Sequence, residues 1–284
     1  MSGDFLGAMA ASSRARSAAA QAALPARELI ARIADLPPTP PLTLAGFDLI
    51  AEVKLRSPAV GLLKDAATED VGARVATYAQ AGAAAVSILT EPSRFDGSLD
   101  DLAAGARALA PLAVPAMRKD FLVDDYQVLE GRVAGAGGVL AIIRMLPRAD
   151  LERLIDAALA LDMFVLLEAF DQPDIEIAHA LVAARRAQRR LLMVGVNSRD
   201  LSTLKVVPGR LDALGNSLPT DVARVAESGV ATPADAARVA ASGYDLALVG
   251  SALMSAAEPR ILAHDMLAAG RAAVAARGGR VRNA

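Results

Sequence analysis

Eight short apolar segments, each separated from the next by a stretch of helical length, constrain the fold of this chain most strongly. The segments cover residues 48–53, 84–89, 113–117, 139–143, 164–167, 192–196, 222–226 and 246–249. The alanine-rich amphipathic stretches between them predict helices near 71–81, 99–109, 126–134, 149–161, 173–186, 210–214 and 233–241, with a last one from about Glu258. Strands that are apolar on both faces and joined by helices pair in parallel.

Two architectures contain such a parallel sheet, namely a closed barrel and an open doubly wound sheet. An open dinucleotide-binding sheet requires a G-x-G-x-x-G motif after an early strand, and none occurs between Glu52 and Gly61. Eight regular units without a break in composition favour the closed form. The sequence therefore predicts an α/β fold, a (β/α)8 TIM barrel.

The region before the first strand has a different composition. Residues 12–34 are rich in good helix formers, and Pro37-Pro38-Thr39-Pro40-Pro41 then forms a stiff spacer that no helix continues through. We predict an N-terminal helical extension with a Pro-rich spacer over residues 1–46 and a barrel domain over residues 47–284.

Composition narrows the classes of function. The formal net charge of −2 gives no long-range attraction to nucleic acid or to an anionic membrane, and the basic run at 185–190 is typical of a solvated helix end. The absence of cysteine excludes thiolate chemistry and cysteine-ligated metals. The apolar runs are strand-sized and no secretory signal is recognisable. We expect a cytoplasmic protein without nucleic-acid or membrane partners.

Polar side chains recur where the predicted strands end. Glu52 and Lys54 are two residues apart and therefore point to the same side of the first strand. The carboxyl ends of barrel strands converge on one mouth, where active sites lie. The side chains predicted to meet there are Glu52, Lys54, Lys119, Glu168, Asn197, Arg199 and Glu227.

Small residues follow the last two strands. Ser228 and Gly229 come after the seventh strand, and Gly250 and Ser251 after the eighth. Barrels commonly bind phosphate at these two corners, where backbone N–H groups approach the ligand. The pattern predicts an anion site, to which Ser57 in the first loop adds a hydroxyl donor.

These motifs resemble the indole-3-glycerol-phosphate synthase family of tryptophan biosynthesis over roughly residues 37–266. The matching segments are Ala51-Glu52-Val53-Lys54, Ser57-Pro58, Phe95-Asp96-Gly97-Ser98, Arg118-Lys119-Asp120-Phe121, Tyr126-Gln127, Leu167-Glu168, Asn197-Ser198-Arg199-Asp200-Leu201, Glu227-Ser228-Gly229 and Gly250-Ser251-Ala252-Leu253-Met254. They occur in the family's order and at similar spacing.

The resemblance implies a lyase that acts on an aryl-amino sugar phosphate. The implied substrate is 1-(2-carboxyphenylamino)-1-deoxyribulose 5-phosphate, and the products are indole-3-glycerol phosphate, carbon dioxide and water. By the same resemblance Lys119 is the general acid, Lys54 a second catalytic lysine that Glu52 holds, and Glu168 the base. No metal or organic cofactor is implied, and association with other tryptophan-pathway enzymes is an expectation.

The resemblance also implies which residues bind the substrate. Asn197 and Arg199 position it, with Glu227 as a further polar wall residue. The apolar lining around the benzene ring consists of Pro58, Phe95, Phe121 and Leu140. The phosphate site consists of Ser57, Ser228, Gly229, Gly250 and Ser251.

Several positions depart from the family pattern. Ala59 and Val60 follow Ser57-Pro58 where the family has S-P-S-x-G, often with lysine at x, and Gly137 and Ala141 stand where Asp and Leu are common. These departures leave two alternatives open: a paralogue that acts on a related aryl-amino sugar phosphate, and a catalytically silent barrel that serves as a binding subunit. The isomerase that shares the phosphate corner needs a cysteine, which this chain lacks.

Overall fold

The computed structural model describes residues 5–278, and its eight main strands form a closed parallel barrel. The strands are β1 (Asp48–Val53), β2 (Ala85–Leu89), β3 (Ala116–Lys119), β4 (Ala136–Ile142), β5 (Phe164–Ala169), β6 (Leu192–Asn197), β7 (Ala223–Glu227) and β8 (Leu246–Val249). Each strand pairs with its neighbours in sequence, and β1 closes the ring by pairing with β8. The predicted (β/α)8 barrel is confirmed.

Helices alternate with the strands on the outside of the barrel. They are α1 (Phe5–Ala23), α2 (Ala26–Ala34), α3 (Val71–Gln80), α4 (Pro92–Phe95), α5 (Leu99–Leu109), α6 (Asp125–Val133), α7 (Arg148–Ala160), α8 (Gln172–Ala184), α9 (Arg210–Gly215), α10 (Pro233–Ala241), α11 (Ser251–Ser255) and α12 (Pro259–Ala276). A short hairpin, Arg56–Ser57 with Gly61–Leu62, lies in the loop after β1. Short 3₁₀ segments cover Ala110–Leu112, Ile143–Met145 and Arg186–Leu191.

Capping side chains determine where several helices begin. Asp70, Ser98, Asp124 and Asp171 each accept a hydrogen bond from the backbone N–H three residues further on. Thr232 does the same before α10, and Asp235 returns the bond in a capping box. Such caps satisfy donors that a helix leaves free at its first turn. The helix starts are therefore encoded locally.

Side chains alternate between the barrel interior and the helical layer. Ile50, Met117, Leu140, Leu166 and Met193 belong to the inner cluster of the barrel. The interior also takes the ring of Phe164, which lies where a Cβ on Gly138 would stand, with 2.3 Å to the nearest ring atom. This packed interior closes the barrel below its mouth.

The segment 12–34 forms parts of α1 and α2, which Pro25 separates because it has no N–H to donate and stands extended at φ −60° and ψ 148°. Two predicted strands have the wrong bounds, and the fourth runs over Ala136–Ile142 rather than 139–143. The third strand runs over Ala116–Lys119 rather than 113–117, because Ala113 has a left-handed φ of 54° after the 3₁₀ segment and Pro115 follows.

Helix α1 is attached to α6 and to the end of β3. Ser17 Oγ donates to Asp124 at 2.5 Å, and Gln127 Nε2 donates to Ser13 Oγ at 2.9 Å. Arg16 donates two hydrogen bonds, of 2.7 and 2.9 Å, to the carboxylate of Asp120. The extension thus packs beside the mouth of the barrel. Within residues 5–278, no helix has the length and apolar character needed to cross a membrane.

Candidate active site

A cavity of about 330 Å³ opens at the carboxyl ends of the strands. The structure places around it every residue that the sequence singled out. They are Glu52, Lys54, Ser57, Pro58, Phe95, Lys119, Phe121, Leu140, Glu168, Asn197, Arg199, Glu227, Ser228, Gly229, Gly250 and Ser251. Groups separated by up to 199 positions in the chain thus share one concave site.

The centre of the cavity is a cluster of two ammonium groups and two carboxylates. Lys54 Nζ lies 2.6 Å from Glu52 Oε1. Lys119 Nζ lies 4.0 Å from Glu52 Oε2 and 3.8 Å from Glu168 Oε1. Glu52 therefore contacts both amines, and the two amines face the same space.

Electrostatics fix the charge of two members of this cluster. Burial alone would lower the pKa of Lys119, but Glu168, Glu52 and Glu227 outweigh it, so the pKa of Lys119 is raised. Burial would raise the pKa of Glu52, but Lys54 and Lys119 outweigh that effect, and the pKa of Glu52 is lowered. Lys119 is accordingly an ammonium group and Glu52 a carboxylate at neutral pH.

Asn197 has its amide orientation set by two neighbours. Its Nδ2 donates to Glu168 Oε1 at 2.8 Å, and its Oδ1 accepts from the backbone N–H of Arg199 at 2.9 Å. Arg210 supports the loop from below by donating to the carbonyls of Asn197 and Arg199. The hydrogen bond from Asn197 to Glu168 Oε1 thereby holds the Glu168 carboxylate close to Lys119.

Gly250 makes room for the pair of Glu52 and Lys54. A Cβ at this position would lie 2.2 Å from Glu52 Oε1 and 2.8 Å from Lys54 Nζ. No side chain fits there without displacing one of the charged groups. The glycine after β8 is therefore part of the geometry of the charged cluster, beyond its expected place in an anion site.

An aromatic wall forms one side of the cavity. The rings of Phe95 and Phe121 have centroids 6.2 Å apart, and Phe5 of α1 meets Phe121 edge-on at 5.8 Å. Pro58 and Leu140 complete the apolar surface. Sequence reasoning missed Phe5, since its only signal is one aromatic residue at the start of an alanine-rich helix.

The turn after β7 presents backbone to the cavity. Ser228 and Gly229 both have left-handed φ values, 63° and 76°. The Ser198 hydroxyl donates to the Ser228 carbonyl at 2.9 Å and holds this turn in place. Consecutive N–H groups in such turns form concave sites for anions, and the start of α11 at Ser251 lines the same cavity.

Asp120, beside Lys119, is a second residue whose importance sequence reasoning missed. It is 2% exposed and contacts Arg16, Arg118 and Thr90. Burial would raise the pKa of Asp120, but the hydrogen bond from Arg16 and the charges of Arg118 and Arg16 outweigh it and lower that pKa. The residue thus joins α1 to the ends of β2 and β3, next to Phe121 of the aromatic wall.

The departures from the family pattern fall in different places. Ala59 and Val60 line the cavity, and Val60 is 58% exposed. Gly137 instead faces Pro115 and Thr39, and Ala141 belongs to the outer core. Leu201, Leu204 and Val206 add apolar surface from the loop after β6. The rim of the cavity is therefore more apolar than the motifs indicated.

Among residues 5–278, no three His, Cys, Asp or Glu side chains are grouped so that they would hold a metal ion. The groups that the site does offer are ammonium, carboxylate, carboxamide and backbone N–H. These suffice for proton transfer and for binding an anion.

Comparison with known proteins relates the whole barrel to one family. The sequence profile of indole-3-glycerol phosphate synthase matches residues 11–266. The indole-3-glycerol phosphate synthase of a Nocardioides species is 41% identical over 236 residues, which cover 82% of this chain and 86% of the relative. That of a Parafrankia species is 42% identical over 78% of both chains, and that of Rhodococcus opacus is 38% identical over 89% and 86%.

A solved structure shows the same fold at low identity. Thiamine phosphate pyrophosphorylase from Pyrococcus furiosus superposes with a TM-score of 0.57 and 15% identity, covering 81% of this chain and 96% of that chain. At this identity the likeness concerns the barrel alone, because one fold carries many unrelated activities.

Proposed function

The chain belongs to the indole-3-glycerol phosphate synthase family, and from this premise we propose that its cavity closes the indole ring on 1-(2-carboxyphenylamino)-1-deoxyribulose 5-phosphate. The products are indole-3-glycerol phosphate, carbon dioxide and water. The observation that carries the proposal is the cluster in which Lys54, Lys119 and Glu168 face one space beside an aromatic wall.

Lys119 supplies the first proton. Ring closure joins the aryl carbon that bears the carboxylate to the ketone carbon, and negative charge develops on the ketone oxygen. A positioned ammonium group neutralises that charge as it forms. The raised pKa of Lys119 favours this assignment, because the nearby carboxylates, Glu168 and Glu52 first, oppose the effect of burial and keep the amine charged.

Lys54 and Glu168 act on the later steps. Lys54 pairs with the carboxylate that leaves as carbon dioxide, or assists the loss of hydroxide, while Glu52 holds it at 2.6 Å. Glu168 removes a proton when the ring becomes aromatic, and Asn197 keeps it oriented at 2.8 Å. The cavity therefore offers both proton donors and proton acceptors to the reacting carbons.

The remaining walls fit the two ends of the substrate. Phe95, Phe121, Pro58 and Leu140 pack against the benzene ring, with Phe5 as an added contact. Ser228 and Gly229, with Gly250, Ser251 and Ser57, bind the phosphate, and Arg199 positions the chain between the ends. In crystals soaked with sulfate, we expect the anion to lie against Gly229 and Gly250.

The direct test is turnover of the proposed substrate by the purified protein, followed by indole fluorescence. Formation of indole-3-glycerol phosphate supports the proposal. A folded protein without signal would favour a paralogue for a related aryl-amino sugar phosphate or a silent binding subunit, for which the apolar Ala59 and Val60 are the relevant departures. Cytoplasmic location and association with other enzymes of the pathway stay predictions of the sequence.

The Gly250→Ala variant tests whether the glycine serves the charged cluster. The new methyl group overlaps Glu52 Oε1 at 2.2 Å and Lys54 Nζ at 2.8 Å, so one of them must move. We expect kcat/KM to fall by roughly 10²-fold, the order associated with misplacing a catalytic group by about 1 Å. Steady-state kinetics with the indole assay measure it.

Gly72→Ala is the matched control. Gly72 lies in α3, and its added methyl group would lie 3.3 Å from Asp70 Oδ1, a close contact that a small shift of this exposed side chain relieves. We expect kinetic constants close to those of the parent. If Gly250→Ala were equally harmless, Gly250 would have no part in holding Glu52 and Lys54.

A further inference from the structure

Glu227, at the end of β7, is a carboxyl group without a hydrogen-bond donor in the described part of the chain. The residue is 1% exposed, and among residues 5–278 no donor lies within hydrogen-bonding distance of Oε1 or Oε2. A buried carboxylate without donors is strongly disfavoured, because it loses hydration and gains nothing in return. Its side chain nevertheless points into the cavity.

The side chain of Glu227 reaches across β6 towards Glu168. A Cβ on Gly195 would lie 2.2 Å from Glu227 Oε1, so the carboxyl group occupies the space above that glycine. Gly195 pairs in register with Glu168 on the other side. The absence of a side chain at Gly195 thus allows two carboxyl groups, from β5 and β7, to meet.

The charges around Glu227 come from four elements. Glu168 on β5, Glu52 on β1 and Lys119 on β3 act on it, and Arg199 lines the same cavity from the loop after β6. Burial, and then the charge of Glu168, raise the pKa of Glu227 well above its usual range, while Lys119 opposes this only in part. Two like charges in contact are not both maintained without compensation.

We propose that Glu168 and Glu227 hold one proton between them, and that in the substrate-free protein this proton resides on Glu227 and is donated to Glu168. Glu168 is the member that stays charged, because it accepts from Asn197 Nδ2 at 2.8 Å and faces Lys119 Nζ at 3.8 Å. Glu227 is then a positioning residue, which acts on the reaction through Glu168.

This arrangement has a consequence for substrate binding, which rests on the proposed function. Asp120 also lines the cavity, but Arg16 and Arg118 compensate its charge. With Glu227 neutral, Lys54, Lys119 and Arg199 therefore outnumber the two remaining charged carboxylates, Glu52 and Glu168. The cavity is then net cationic, as a ligand with a phosphate and a carboxylate requires. Ionisation of Glu227 at alkaline pH removes that excess.

Infrared spectroscopy detects the proton without any substrate. At neutral pH the parent should show the C=O band of a protonated carboxyl group, and Glu227→Gln should lack it. The band therefore appears in the difference spectrum of the two proteins, and it should shift in ²H₂O. Glu69→Gln is the control, because Glu69 is ion-paired with Arg74 at 2.6 Å and should lose a carboxylate band instead. Loss of a carboxylate band in Glu227→Gln would overturn the proposal.

Glu168→Gln provides a second measurement in case Glu227→Gln does not fold. The acid band belongs to Glu227 and its hydrogen bond goes to Glu168, so replacing the acceptor by an amide should shift the band. A band that stays at the same frequency would contradict a shared proton.

Kinetics test the consequence for binding. In the parent, KM should rise by about tenfold as Glu227 ionises, the order expected for one charge added near a bound anion in a partly buried site. Glu227→Gln cannot ionise, so this alkaline rise in KM should be absent whatever the absolute turnover. A rise that persists in Glu227→Gln would overturn the role of Glu227.

The two measurements separate the possible failures. A protein without synthase activity that still shows the acid band would refute the proposed function and retain the carboxyl pair. An active enzyme in which Glu227 is ionised at neutral pH would refute the pair and leave the proposed function in place.

Discussion

Replacing Lys119 by alanine is expected to lower kcat by roughly 10²–10⁴-fold, the usual contribution of one positioned acid or base. The surroundings of Lys119 favour its ammonium form. Glu168 at 3.8 Å and Glu52 at 4.0 Å raise its pKa by more than burial lowers it. Without it, the ketone oxygen develops its charge with no donor from β3. Single-turnover and steady-state assays with indole fluorescence separate this loss from a change in binding.

Lys205→Ala is the control for Lys119→Ala. Lys205 is exposed in the loop after β6 and does not line the cavity. We expect its kcat to match that of the parent, which excludes a general effect of removing one positive charge. Turnover close to normal in Lys119→Ala, with the substrate consumed at the same rate, would remove Lys119 from the mechanism.

The barrel could be predicted from the sequence because its determinants are local. Each strand is a short apolar run, and each helix start carries its own signal, as at Asp124 and Thr232. To predict that the polar residues at the strand ends form one site, only one further rule was needed. All parallel strands of a barrel end at the same mouth. That Glu52 and Lys54 point to the same side of β1 followed from their spacing alone.

Contacts between distant segments could not be predicted in this way. Phe5 reaches Phe121 only because α1 packs on α6. The meeting of Glu227 with Glu168 depends on the missing side chain of Gly195, a residue that a sequence presents as an ordinary glycine within an apolar strand. Such contacts follow from packing and leave no periodic pattern.

Asp120→Asn is expected to lower the free energy of unfolding by about 3 kcal/mol, because removing one partner of a buried ion pair leaves the other uncompensated. Asp120 and Arg118 are 2% and 1% exposed and lie 3.4 Å apart, and Arg16 adds bonds of 2.7 and 2.9 Å from α1. Glu130 and Thr90 keep partial contacts with Arg118, which places the expected loss at the low end for buried pairs. Urea unfolding at neutral pH measures it.

The pH dependence of this loss distinguishes charge from packing. Because the pKa of Asp120 is lowered by folding, its contribution is present above the unfolded value of about 4 and is lost as the pH falls through the folded value. The stability difference between the parent and Asp120→Asn should therefore shrink on acidification. Asp150→Asn, which removes an exposed pair with Arg153, should cost less than about 1 kcal/mol. A difference for Asp120→Asn that stayed constant down to strongly acidic pH would mean that the residue contributes by its shape and not by its charge.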